Sequence, residues 1–176
     1  MKDSRRQGFT LAELIIVVSI LALLAGVLLP RVSTHLRTVR DQRRLSDIKS
    51  LQKAIEQYYL DNGDFPVQEL GDAGWDESFR GEFIPVLVHE GYLSDFPKDP
   101  TNDNQYYYQY RIYNTRAGSG CGSSTVGNSS GHYYVLRIKA FEDATFAAKY
   151  NSTLSCGGTD WSTGFAYVVG GGAKFE

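Results

Sequence analysis

The chain has 176 residues and a formal net charge of −2, enough for one modest domain plus an attached segment. That charge excludes a general affinity for nucleic acid. His35, His89 and His132 lie far apart, no C-x-x-C pair is present and no Gly-rich phosphate loop precedes a helix, so the sequence offers no catalytic constellation.

A basic leader, Met1 to Gly8, carries Lys2, Arg5 and Arg6. Phe9 to Leu29 is then apolar apart from Thr10, Glu13 and Ser19, and Pro30 closes it. As a helix this run is about 31 Å long, matching a bilayer core of about 30 Å. A carboxylate at the middle of such a span costs about 2.5–3.5 kcal/mol on insertion scales, and less near the interface. Glu13 therefore needs water or a partner. Three readings compete. One is a signal-anchor helix with Glu13 near the interface. The second is a secretory signal, although the run exceeds the usual apolar region of roughly 7–15 residues and Ala25-Gly26-Val27 offers a poor cleavage pattern. The third places a cut before the run, between Gly8 and Phe9.

Gly8-Phe9-Thr10-Leu11-Ala12-Glu13, with the basic leader before it and the apolar run and Pro30 after it, resembles the class III signal of the type IV pilin and pseudopilin superfamily. The resemblance implies cleavage after Gly8 by a prepilin peptidase, N-methylation of Phe9, and assembly roles for Phe9, Glu13 and Pro30. Pairing of Glu13 with the Phe9 amine of a neighbouring subunit would offset the buried charge and fix the stagger between subunits. The resemblance also implies an α+β pilin-like fold, a long N-terminal helix on a small antiparallel sheet. Leader, peptidase site and membrane-held precursor then imply an inner-membrane, single-pass start and a periplasmic or extracellular filament. The basic residues oppose that orientation: Arg31, Arg37, Arg40, Arg43 and Arg44 outnumber those of the leader.

After Pro30 the pattern turns amphipathic. Val32, Leu36 and Val39, then Ile48, Leu51, Ile55 and Tyr58/Tyr59, recur at helical spacing. One helix from about Phe9 to Asp61 is predicted, kinked or loosened at Pro30. The arginines from 31 to 44 read as a solvated face, as lipid-headgroup ligands, or as partners for a neighbour's acids. Asn62-Gly63 is a stop signal, and Phe65-Pro66 prevents resumption. That exit also resembles major pseudopilins. The domain divides into leader 1–8, lipid or filament-core half 9–30, amphipathic half 31–62 and globular part 63–176.

Residues 67–100 form a connection, with a short helix between Glu82 and Glu90 ended by Gly91. Trp75 reads as a loop anchor. Tyr106 to Tyr113 is the first strand, and His132 to Ala140 is a second, paired antiparallel with it. Alternate tyrosines are expected to pack on the long helix, the others to make a neighbour contact or an exposed face; stacking on bases or sugars is the rival reading. Phe141 to Tyr150 fits a helical turn or an irregular strand equally. Gly164 to Val169 is a third strand, and Gly170-Gly171-Gly172 a flexible terminus.

Cys121 and Cys156, an even pair in an exported domain, read as one disulfide, with two free thiols as the rival reading. Closing a loop of about 36 residues stabilises by about 4 kcal/mol in the chain-entropy model. Asn128 and Asn151 stand in sequons that also arise by chance in Ser/Asn-rich loops. Asp99, Asn102, Asp103 and Asn104 are oxygen donors suited to calcium. Major pseudopilins carry a calcium, but their Asp-Pro-Trp-Gly-Asn-Pro run is here Asp99-Pro100-Thr101-Asn102-Asp103-Asn104, and a solvated turn is the competing reading. No cofactor is otherwise expected.

Together these readings predict a structural subunit of a helical homo-oligomeric filament, a pilin or major pseudopilin serving pilus assembly or type II protein secretion, and no enzyme. The resemblance implies an assembly ATPase and an inner-membrane platform protein as partners. The alternatives are a minor tip subunit that binds DNA, a secreted substrate or a surface, and a membrane-anchored domain that never polymerises.

Overall fold

The computed structural model describes residues 9–68, 74–114, 132–156 and 159–172; the side chains of residues 27–31, 114, 132 and 156 lie outside the description. The chain forms two compact units, residues 1–37 and 38–176, taken separately below.

The long helix α1 covers Leu11–Asn62, within two residues of the predicted bounds. Its end is the predicted one. Gly63 sits at φ 77° and donates to the Tyr59 carbonyl at 2.8 Å, a left-handed cap that a Cβ would disfavour. In the first unit the side chains from Phe9 to Leu24 lie open on every side of α1. Val32 and Leu36 are exposed as well, and in the second unit so is Val39, so the amphipathic pattern read after Pro30 buries nothing until Asp41. From there one stripe turns inward: Asp41, Arg44, Leu45, Ile48, Leu51, Ala54 and Ile55. The spacing of three and four residues is that of one helix face.

Four strands form the antiparallel sheet in the order β1 (Asp76–Glu77), β2 (Tyr108–Asn114), β3 (His132–Ile138) and β6 (Tyr167–Gly172). The predicted α+β arrangement of helix and small antiparallel sheet is therefore present. The register pairs Tyr110 with Leu136 and Ile112 with Tyr134. One face carries Tyr108, Tyr110, Ile112, Tyr134, Leu136 and Ile138 into a core shared with Ile48, Leu51 and Ile55. Buried tyrosines must also place their hydroxyls. Tyr108 donates to Asp47 Oδ2 at 2.9 Å and Tyr110 to the Pro66 carbonyl at 2.7 Å.

The opposite face is covered too, contrary to the expected exposed or neighbour-facing side. Tyr113 and Tyr133 stack there at 5.2 Å between ring centres, beneath Trp75 and Trp161. The Arg137 guanidinium lies 3.7 Å from the ring centres of both Trp75 and Phe165, and it donates to Gln109 Oε1 at 2.5 Å. Trp75 is thus an anchor, as read. Trp161 arrives on a hairpin absent from the sequence reading, β4 (Ser155–Cys156) paired with β5 (Thr159–Asp160).

Several boundaries move. The short helix α2 is Pro85–His89; Pro85 opens it and Gly91, at φ 83°, follows its end. Phe141 to Tyr150 resolves into helix α3, Ala144–Tyr150, because the Asp143 carboxylate caps the Thr145 and Phe146 amides at 2.8 and 2.9 Å. The last strand and the glycines after it are the main correction. Gly170, Gly171 and Gly172 are not a loose terminus but strand residues opposite Val135, Tyr134 and Tyr133. Glycine is needed there for space: a Cβ on Gly171 would stand 2.8 Å from Tyr134 Cε1.

Gly171→Ala is expected to destabilise the domain by about 1–3 kcal/mol through overpacking. Trimming the opposing ring in Gly171→Ala/Tyr134→Leu should make the alanine cost less than it does in the parent. Chemical denaturation of the single and double variants measures both.

Candidate assembly site and its supporting ion cluster

In the first unit, Thr10 stands immediately before α1. Its hydroxyl donates to Glu13 Oε2 at 2.8 Å and its amide donates to the same oxygen at 2.9 Å. The Glu13 amide returns a bond to Thr10 Oγ1 at 3.3 Å. This is a reciprocal capping box, a hydroxyl residue followed three positions later by a glutamate. It satisfies amides that the first turn of a helix cannot pair internally. The motif stands in the sequence as Thr10-x-x-Glu13, but the membrane cost of Glu13 drew the reading to a partner outside the subunit. Phe9, 88% exposed, precedes the box.

From there α1 is hydrophobic all round. Leu11, Ile15, Val18, Leu21 and Leu23 are all more than half exposed. Such a helix belongs in lipid or in a protein core and has neither within its own unit. Among the described residues no helix is long and apolar enough to cross a membrane; the described side chains of this run stop at Gly26. Pro30 lies within α1, with its side chain outside the description, as does the whole of Gly8.

The second unit is fastened where α1 meets two loops. Arg44 is fully buried. It donates Nε to Asp99 Oδ2 at 2.6 Å and Nη2 to Asp99 Oδ1 at 2.8 Å, a bidentate fork. It also pairs with Asp41 at 2.6 Å and Glu142 at 3.0 Å. Asp41 in turn accepts the amides of Glu142 and Asp143, and Thr38 donates to Asp143 Oδ2 at 3.0 Å. Arg40 closes the outer side on Glu142. Burial alone would lower the Arg44 pKa; the hydrogen bonds and charge of Asp99, then Asp41 and Glu142, outweigh it and raise the value. The Arg40 hydrogen bond, against burial and helped by Arg44, lowers the Glu142 pKa to about 2.

Arg40 and Arg44 are therefore structural, which corrects their reading as a solvated or lipid-facing row. Arg43 stays exposed. Their presence on the far side of the apolar run follows from the fold. A signal existed: Arg44, Ile48, Leu51 and Ile55 share one helical stripe.

The calcium candidates Asp99 and Asp103 have protein partners in this structure. Both Asp99 oxygens are held by Arg44, and Oδ1 also accepts the Thr101 amide at 2.8 Å. Asp103 turns its Oδ1 onto the amides of Gln105 and Tyr106 at 2.8 and 2.9 Å, an Asx turn. Among the described residues no group of three His, Cys, Asp or Glu side chains could hold a metal ion. Cys121 lies outside the described residues, and Cys156 is described only as backbone at the end of β4.

An exposed apolar helix with a capped start, and a helix-backed antiparallel sheet, define a pilin-class filament subunit. Residues 3–29 match the prokaryotic N-terminal methylation motif, and residues 31–118 match the family described as type II secretion system (T2SS), protein G. The type II secretion system core protein G of Vibrio cholerae is 37% identical over 110 residues, covering 60% of this chain and 74% of that protein. Its counterpart in Aeromonas hydrophila is 33% identical over 101 residues, covering 57% and 71%. That of Pseudomonas aeruginosa is 32% identical over 109 residues, covering 61% and 76%. No solved structure matches. The chain belongs to the type II secretion system protein G family, a family of structural filament subunits.

Glu142 sets an acid limit on stability. Its folded pKa of about 2 lies below the ordinary 4.5, so its contribution is complete above about pH 4.5 and disappears as pH falls toward 2. Glu142→Gln should flatten the fall in unfolding free energy across that window while lowering stability at neutral pH. Urea denaturation at a series of pH values follows both effects.

Proposed function

We propose that the chain is made as an inner-membrane precursor, cut between Gly8 and Phe9 by a prepilin peptidase, N-methylated at Phe9, and polymerised into a periplasmic filament of type II secretion. The observation that carries this reading is the apolar surface of α1 from Phe9 to Leu24, which has no partner within its own unit. Lipid covers it before assembly and the same helix of other copies covers it afterwards, so it never meets water. A cytoplasmic assembly ATPase acting through an inner-membrane platform protein supplies the work of extraction.

Glu13 has two roles in this scheme. Within the subunit it caps α1 through Thr10. Cleavage then creates a cationic amine at Phe9, and Glu13 of an adjacent subunit pairs with it, offsetting the cost of a carboxylate in an apolar setting. Methylation keeps that amine charged. Pro30, lacking an amide proton, gives the helix a place to adjust on leaving the membrane. Cys121 and Cys156 form a disulfide in the oxidising compartment.

Gly8→Leu should block processing, read as unchanged electrophoretic mobility after co-expression with the peptidase. Glu13→Ala should be processed normally yet fail to appear in sheared filaments. Normal filaments from Glu13→Ala would refute the pairing. Abundance in those preparations separates a main subunit from a scarce tip subunit. The disulfide predicts faster migration of the unreduced chain, lost in Cys121→Ser.

A further inference from the structure

Arg44 is surrounded by oxygen. Asp41 Oδ1 lies at 2.6 Å, Asp99 Oδ2 and Oδ1 at 2.6 and 2.8 Å, Glu142 Oε1 at 3.0 Å and Thr101 Oγ1 at 3.2 Å. A guanidinium has five N–H donors. Here Nε meets one oxygen, Nη1 meets those of Asp41 and Glu142, and Nη2 meets those of Asp99 and Thr101. The Tyr106 ring covers it, 4.8 Å from the ring centre to Cζ.

A buried ion pair needs one carboxylate. This cage has three, brought from α1, from the loop at 99–101 and from the residue two before α3. An all-oxygen shell with several carboxylates is the donor set that hard divalent cations take. Buried acids gathered in this way cannot stay ionised without a cation among them. We propose that Arg44 is a tethered stand-in for a hard divalent cation, so that docking of the sheet domain on α1 needs no calcium. The side chain is always present once the chain is made, whereas a bound ion depends on its concentration around the filament. Shortening Arg44 leaves Asp41 and Asp99 without their cation, while Arg40 still pairs Glu142, and turns the cage into a divalent-cation site.

Thermal unfolding of the full chain in detergent, in EGTA or in excess calcium chloride, tests this. The parent should show the same Tm in both. A lower Tm in EGTA would overturn the proposal. Arg44→Ala should unfold earlier than the parent in EGTA, and calcium should raise its Tm by at least about 3 °C. An Arg44→Ala chain with equal Tm in the two buffers, or unfolded in both, would overturn it. Arg44→Lys keeps a positive charge in the cage and should fold without responding to calcium; a calcium-raised Tm in that variant also counts against the idea. The readout is subunit stability, so it stands whether or not the chain polymerises.

Discussion

The contact between α1 and the rest of its domain rests on one guanidinium. Arg44 sits on the inward stripe of the helix, where its neighbours one and two turns on, Ile48 and Leu51, are apolar and fully buried. Its charge would be prohibitive there without compensation, and compensation comes from far along the chain. Asp99 is 55 residues away and Glu142 lies farther on, beyond β3. The fork geometry of arginine suits this task, because each donor has a fixed direction and each acceptor must arrive where it points. A buried network of this kind stabilises only when every member is paired, and removing one member leaves the others charged and dry. The cluster therefore favours one docking of the loops on the helix over near alternatives that an oily surface alone would tolerate.

Around that fixed point the sheet is built from tyrosine. Two rows of aromatic rings, one on each face, give β2 and β3 a large buried area, while the hydroxyls of Tyr108 and Tyr110 reach the Asp47 carboxylate and the Pro66 carbonyl. Tyr108 reaches Asp47, and burial raises the pKa values of both groups, keeping the phenol protonated as donor. On the far face Arg137 is sandwiched between rings, and burial lowers its pKa to about 10, still well above neutral. The family match ends at residue 118, so β3, β6 and the Trp161 hairpin, which complete this second layer, lie beyond it.

The first unit follows the opposite logic. Nothing in its own unit covers the side chains from Phe9 to Leu24, while the capping box at Thr10 and Glu13 is internally satisfied. A surface of this kind is stable in lipid or among copies of itself. The function of the chain lies in that incompleteness: a subunit whose helix could bury itself would have no reason to assemble.

The apolar run, the Asn62-Gly63 stop and the strand character of Tyr108 to Tyr113 were legible in the sequence because each is a short-range pattern. Periodicity, caps and turn residues act within a few positions. Through the resemblance of its first thirty residues to the pilin superfamily, the sequence also implied an α+β fold and a filament-type subunit. What it hid were contacts between distant segments. Arg40 and Arg44 looked like solvated charge because their partners are far away in the chain. Gly170 to Gly172 looked loose because the Tyr134 ring that requires a bare backbone opposite it belongs to another strand. Only the tertiary structure decided these, since whether a charge is buried and paired, or a glycine is flexible or tightly packed, depends on what the fold brings against it.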